Sequence, residues 1–407
     1  MKSLLIALLL TSCFAIAGSS QTLLDSAIAE QKQKNYDQAL AYALEFLKTP
    51  NLSEASQSHA LFTMAYCYEK KRNPLNAVIH YLEAIQVDAD DARNVKAHYN
   101  IGALYKNFHL YDEAIRHYSR SIELNKDEAI KGKILIARAI CYKYKSQYDS
   151  SLLDILEAQK IALEDAEHRK RLLYNAYNQR GLIKREMGQY DESMRYFQYA
   201  NDLDIGINTL VNIGYVYHLR KQYNKAIETY MTTLGTKQNV DQQFKTYQKL
   251  GELYMELGKD SKSNLFLTKA ESLYPEILYP DVHDINVYRS LANTYKESGE
   301  MQLYSKFFEQ GYELLEDFTL LTQALLLEAN KQQLISTEEN FYQKQEQQEE
   351  VSLLKKSALA IVVSVLAILL ITLAILKRTK KKNKQKMDKI KAICEEKFDY
   401  SVSPDNL

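Results

Sequence analysis

The sequence predicts an all-α fold: an α-solenoid of about eight helical hairpins, then a long helix, one transmembrane helix and a short basic tail. Three observations predict it. A small residue recurs every 33 to 42 residues, most often every 37, down the first three-quarters of the chain. Helix formers dominate and breakers are scarce, with 12 Gly and 5 Pro in 407 residues. Near the carboxyl end, residues 357–376 form one uncharged apolar run flanked by lysines.

Taken in chain order, the first element is a leader. Lys2 precedes an apolar stretch from Leu4 to Ala17 that ends in small residues before Gly18, the form of a secretory signal peptide over 1–17. Leu10-Thr11-Ser12-Cys13 also fits a lipoprotein box, which would leave a much shorter signal. Either cleavage exports the repeat region.

The hairpins occupy 18–312. The recurring small residues are Ala27, Ala65, Gly102, Ala139, Gly181, Gly214, Gly251 and Ala292. Three positions on stands a tyrosine in most units (Tyr68, Tyr105, Tyr142, Tyr217, Tyr254, Tyr295). Twelve positions on comes a second small residue: Ala39, Ala77, Ala114, Ser151, Ser193, Ala226, Ser263. Four further sits a large one, among them Tyr81, Tyr118, Ile155, Phe197, Tyr230, Leu267 and Phe308. Residues three or four apart share a helix face. The first small residue thus lets two antiparallel helices approach, the tyrosine fills the space beside that contact, and the large residue packs into the next unit. Segments such as Gly188-Gln189-Tyr190-Asp191-Glu192 and Gln222-Tyr223-Asn224 read as a helix stop followed by the next helix's first turn.

This pattern resembles the tetratricopeptide repeat. Tyr99-Asn100-Ile101-Gly102-Ala103-Leu104-Tyr105 with Tyr111-Asp112-Glu113-Ala114-Ile115 matches that family closely, as does Asn212-Ile213-Gly214-Tyr215-Val216-Tyr217 with Tyr223-Asn224-Lys225-Ala226-Ile227. The first and last units depart from it, at Glu30 and Tyr304, as capping units do. The resemblance implies a right-handed solenoid whose concave groove takes an extended or helical peptide. In this register Phe62, Tyr66, Tyr99, Asn178, Tyr215, Gln248, Arg289 and Asn293 face the groove. Lys106, Lys143, Arg185 and His218 recur near first-helix ends in consecutive units, with Lys296 further along. Stacked, they would form a positive stripe favouring an acidic peptide or a terminal carboxylate; lysines at helix carboxyl ends also serve the helix dipole alone. The Lys and Asn clamp of the family's chaperone-binding members is not reproduced.

Residues 313–356 read as a capping helix and juxtamembrane stalk. Leu320, Leu327, Leu334 and Phe341 recur every seven positions, but Lys331, Glu338 and Gln345 hold the companion positions. That pattern favours a solvated rod over a dimerisation stalk, with Leu320–Leu327 capping the last repeat. The run 357–376, at about 1.5 Å per residue, spans roughly 30 Å, a bilayer core. The tail, 377–407, holds ten basic and five acidic residues. Its lysines place it in the cytoplasm against anionic lipid head groups and the repeats on the periplasmic side of a bacterial inner membrane.

Charge and chemistry narrow the function. Lys plus Arg equals Asp plus Glu at 52 each, so a basic tail leaves an acidic repeat region, which argues against nucleic acid as a partner. Cys67 and Cys141 occupy equivalent places two repeats apart and read as core thiols rather than a bridge. None of the 8 histidines falls in a metal-ligand spacing, and no phosphate loop, nucleophile elbow or paired catalytic carboxylates occur. The expectation is a non-enzymatic scaffold or adaptor without cofactor or metal, anchored in the membrane and binding a protein or peptide. A second expectation stays open. Exported repeats, stalk, span and basic segment resemble the input half of Bacteroidetes-type sensor kinases and membrane-bound transcriptional regulators. With only a short tail after the span, such a half would signal through a partner or a separate output domain.

Overall fold

The computed structural model describes residues 21–87, 91–164, 168–203, 208–236, 239–277 and 282–345, together with Lys377, Arg378 and Lys380. The leader with Cys13, the apolar run 357–376 and the rest of the tail with Cys394 lie outside the described residues. The chain divides into two compact units, Met1–Lys331 and Gln332–Leu407. The hairpins belong to the first.

Every described element is helical, and the helices pair into eight hairpins. In order these are α1 (residues 21–32) with α2 (Tyr36–Leu47), α3 (Glu54–Lys70) with α4 (Pro74–Val87), α5 (Asp91–Asn107) with α6 (Tyr111–Leu124), and α7 (Glu128–Tyr144) with α8 (Tyr148–Glu164). Next come α9 (Arg169–Glu186) with α10 (Tyr190–Asn201), α11 (Asn208–Leu219) with α12 (Tyr223–Leu234), α13 (Val240–Glu256) with α14 (Asp260–Leu273), and α15 (Val282–Glu297) with α16 (Met301–Gln345). Side chains start several of them. Ser53 accepts the Ser56 N–H before α3 and Asp127 the Ile130 N–H before α7, while Asn239 and Gln242 form a capping box before α13.

The small residues do what their spacing implies. A Cβ on Gly181 would lie 2.5 Å from the Phe197 ring, one on Gly214 2.6 Å from Tyr230, one on Gly102 2.8 Å from Tyr118 and one on Gly251 2.5 Å from Leu267. Each large residue therefore sits over the glycine of its own hairpin, a correction to the expectation that it packs into the next unit. Tyr81 still reaches the next unit at its tip, where its hydroxyl accepts from Asn100 Nδ2 at 2.9 Å. The second small residue adds a bond when it is serine. Ser151, Ser193 and Ser263 donate to the carbonyls of Ala139, Gly181 and Gly251 at 2.7, 2.8 and 2.9 Å. In the last unit the register moves by one, with Phe307 rather than Phe308 buried and stacked 5.5 Å from Tyr295.

Each hairpin turn holds one residue in the left-handed region: Lys34, Arg72, His109, Ser146, Gly188, Lys221, Gly258 and Gly299. Only three are glycines, so composition alone does not reveal the device. Neighbouring units are also tied by ion pairs from a turn to the preceding second helix, Lys71–Asp37, Lys145–Asp112 and Arg220–Asp191. Successive first helices touch one another while successive second helices make no comparable contact among the described residues. The first helices therefore form the inner face of the stack.

Cys67 and Cys141 are free and fully buried, and burial pushes both thiols up to about 12, so they are inert core residues.

Two corrections concern the carboxyl side. Rather than capping the last repeat with Leu320–Leu327, α16 runs on from the eighth hairpin and packs against the third. Phe318 stacks on Phe108 at 5.3 Å, and Leu325 and Ala329 are buried in the cluster around Val95, Leu104 and Tyr105, whereas Leu320 and Leu327 stay exposed. The expected transmembrane helix has no counterpart among the described residues. Among the described residues no helix is long and apolar enough to cross a membrane, and α16, the longest, is rich in Glu and Gln.

Candidate functional site

Lys106, Lys143 and Arg185 are each the penultimate residue of a first helix, α5, α7 and α9. That shared position brings them to one level of the inner face, close enough to shift one another's charge. Lys143 is 8 % exposed, and burial, then Arg185, then Lys106 lower its ammonium to about 8, with Glu186 opposing. Among the described residues it makes no hydrogen bond or ion pair; its Nζ lies 4.1 Å from the centre of the Tyr144 ring. Arg185 is held by Glu186 at 2.7 Å and lies 4.9 Å over the Tyr215 ring, whose surroundings also include Lys249 at 4.9 Å. His218 is drawn away from the others: its Nε2 lies 2.6 Å from Glu256, which also accepts the Tyr223 hydroxyl at 2.7 Å. The gathered set is thus Lys106, Lys143, Arg185 and Tyr215.

The other expected groove residues divide. Phe62 and Tyr99 are partly buried, with rings 5.2 Å from Tyr81 and 5.8 Å from Tyr118, so they wall the core as much as the groove. Tyr66 lies under the Lys70 ammonium at 4.8 Å. Asn178 accepts from Asn212 Nδ2 at 2.9 Å and Gln248 Nε2 donates to the His283 carbonyl at 2.8 Å. Both amides join neighbouring units, and Gln248 is buried. Arg289 and Asn293 sit on the exposed face of α15.

The inner face of α5, α7 and α9 is not open on all sides. It looks across a cavity of about 470 Å³ at α13 and the start of α15. One wall holds Lys106, Lys143, Ile140, Gln179 and Leu182; the other holds Asp241, Phe244, Lys245, Ile277 and Asp284. His109 and His283 approach to 6.3 Å at its edge. Gln179 Oε1 is buried and has no hydrogen-bond partner among the described residues. Sequence reasoning missed Gln179 and the whole far wall. A signal for Gln179 existed: it stands two positions before the small residue, where Asn100 and Asn212 carry amides in other units. The far wall had none, because nothing local to Phe244 or Ile277 says which distant unit it will face. Among the described residues no group of His, Cys, Asp or Glu could hold a metal ion.

Family models described as tetratricopeptide repeat match residues 95–128 and residues 58–91, 174–204 and 207–238. The chain carries tetratricopeptide repeats. Three solved structures share the fold. A tetratricopeptide repeat protein from Parabacteroides merdae is 15% identical at a TM-score of 0.54, covering 63% of this chain and 93% of its own. The apo quorum sensor NprR from B. thuringiensis is 17% identical at 0.54, covering 73% and 87%. The Rap conjugation gene regulator of plasmid pLS20, solved in complex with the Phr* peptide, is 14% identical at 0.50, covering 75% and 98%. At these identities the likeness concerns the fold. A search of curated proteins gives no match.

Proposed function

We propose that this tetratricopeptide-repeat chain is a non-enzymatic scaffold whose inner face binds a protein or peptide partner, with preference for an acidic one. The observation that carries the reading is the gathering of Lys106, Lys143 and Arg185 on three consecutive first helices, with Lys143 making no direct ion pair among the described residues. A carboxylate brought there meets cations whose attraction is strengthened by the surrounding low-dielectric wall. The Rap regulator, of like fold, was solved with a peptide bound, which favours a peptide over a small metabolite.

Reversing all three charges (Lys106→Glu, Lys143→Glu, Arg185→Glu) should weaken binding of a hexaglutamate peptide by at least about a hundredfold, since each charged contact contributes roughly 1.5–3 kcal/mol. Isothermal titration of the parent and triple variant checks this, and equal affinity would rule out the stripe as a binding element.

A receptor role is the second reading, favoured by one feature: α16 leaves the eighth hairpin, touches the third and continues unbroken to Gln345. A ligand that shifts the third hairpin would thereby act on a helix leading out of the repeats. The leader-like sequence from Lys2 to Ala17 supports placing the repeats outside the cytoplasm, and protease accessibility in intact spheroplasts tests that placement.

A further inference from the structure

We propose that the joint between the seventh and eighth hairpins is a hinge, about which α15 and α16 swing as one piece to seat α16 on the third hairpin or release it. Such a hinge acts whatever the inner face binds.

The six earlier joints are built alike. Three positions before the second small residue, and one position after it, the second helix carries Tyr or Pro and then Leu, Val, Ile or Met. The series runs from Tyr36 with Leu40 to Tyr223 with Ile227. These side chains pack on the first helix of the next unit. Tyr111 stacks on Tyr144 at 5.1 Å with the two rings 6° from parallel. Tyr36 and Leu40 share a cluster with Met64 and Cys67, and Tyr223 and Ile227 share one with Leu250 and Leu253. In the seventh hairpin the same two positions hold Asp260 and Asn264. The Oδ1 atom of each is buried and has no hydrogen-bond partner among the described residues. A buried acceptor without a donor is costly, and water satisfies both once this edge parts. The turn-to-helix ion pair cannot form here either. Ser261 and Ser298 stand where Asp112 and Lys145 pair in an earlier joint.

The opposite edge of the same joint is firmly packed, which makes it a pivot. Leu267 and Ala270 near the end of α14 share a cluster with Val287 and Leu291 of α15. Tyr274 meets Tyr288 edge-on at 5.2 Å. On the parting edge Thr294 offers only a weak bond to Met255 Sδ at 3.7 Å. Rotation about the packed edge carries α15 and α16 together, because they form one hairpin. Leu325 lies about 36 Å along α16 from Met301, so a small turn at the joint becomes a large displacement at the seat. Two terms oppose each other. Burial of Phe318, Leu325 and Ala329 on the third hairpin favours the seated state, and the unmatched oxygens of Asp260 and Asn264 favour release. Opposed terms of this kind are what a two-state element needs.

The test is hydrogen exchange on the full-length chain. Released from the third hairpin, residues 313–331 have lost their packed face and fray. In the parent they should exchange as a unit, at least about tenfold faster than residues 244–274, which hold the pivot. Replacing Asp260→Tyr and Asn264→Ile together installs the pair that Tyr111 and Ile115 form in the third hairpin. That change should slow exchange over 313–331 by roughly tenfold or more while leaving α9 to α12 unchanged. A thermal melt checks folding, and Asn264→Leu alone, read by the same criteria, serves if the double variant does not fold. Parent residues 313–331 protected as fully as 244–274 would show that α16 does not leave its seat. Unchanged exchange over 313–331 in the folded variant would remove the hinge from this joint. Equal slowing in every hairpin would show that the stack opens as a whole and has no hinge.

Discussion

Within a hairpin, the two helices meet where a small residue lies under a large one sixteen positions later: Gly102 under Tyr118, Gly181 under Phe197, Gly214 under Tyr230, Gly251 under Leu267. Where α16 meets the third hairpin, nothing repeats. Phe318, Leu325 and Ala329 fill a surface made by Val95, Leu104, Tyr105 and Phe108 once in the chain, and Phe318 also packs against the cluster around Tyr288 and Phe307. The first kind of contact is local, with short loops and low closure cost. The second depends on every unit between being correctly stacked. A chain can therefore keep its hairpins while losing its closure, and the candidate cavity belongs to the closure.

The largest effect should come from cutting that closure. Leu325 is fully buried, and Leu325→Ala should cost about 2–5 kcal/mol, the range for a core leucine replaced by alanine. Hydrogen exchange should show the loss in α16 and around Phe108 while α9 to α12 keep their protection. Uniform loss across all hairpins would mean that closure and stacking form a single cooperative unit.

A joint should respond less and more locally. In Gly181→Ala the new methyl would have to displace the buried Phe197 ring, with an overpacking cost of about 1–3 kcal/mol partly offset by alanine's better helix propensity. Urea unfolding with a probe in α9 or α10 measures it. No destabilisation would show that the ring has room to move.

Acid should act on one joint. Between α5 and α6, His98 Nδ1 lies 3.0 Å from His117 Nδ1. Burial, then Arg120, lower His98 to about 4 with Glu123 opposing, and burial, then His98 and Arg116, lower His117 to about 3. Both folded values lie below the unfolded value near 6.5, so folding is favoured by the neutral rings. Stability should be full above about pH 6.5 and fall with decreasing pH, by up to about 1.4 kcal/mol per unit for each ring that must charge. His117→Phe should flatten that slope. A melting temperature independent of pH from 7 to 5 in the parent would show that the pair is not buried as described.

Much of this was readable in advance, and the reason is repetition. A spacing that recurs in eight units averages out the ambiguity of any one, so hairpin number, the glycine joints and the alignment of Lys106, Lys143 and Arg185 could be read from positions alone. Exceptions show the limit. Phe307 replaces Phe308 in the last unit, where no further repeat holds the register. Lys34, Arg72, His109, Ser146 and Lys221 adopt a left-handed turn that their side chains do not advertise. Gln248 fits the groove pattern, yet is used up by the His283 carbonyl.

The order of residues by itself determined the helical hairpins, because three- and four-residue spacings decide which side chains share a face and a missing Cβ decides how close two helices come. Only the tertiary structure decided that α13 and α15 face α7 and α9, that α16 closes on the third hairpin, and that Gln179 Oε1 is left in between without a partner among the described residues. The physical reason is that a small rotation at each unit accumulates along the stack. Which distant surfaces meet is a sum over all units and is written in no single one.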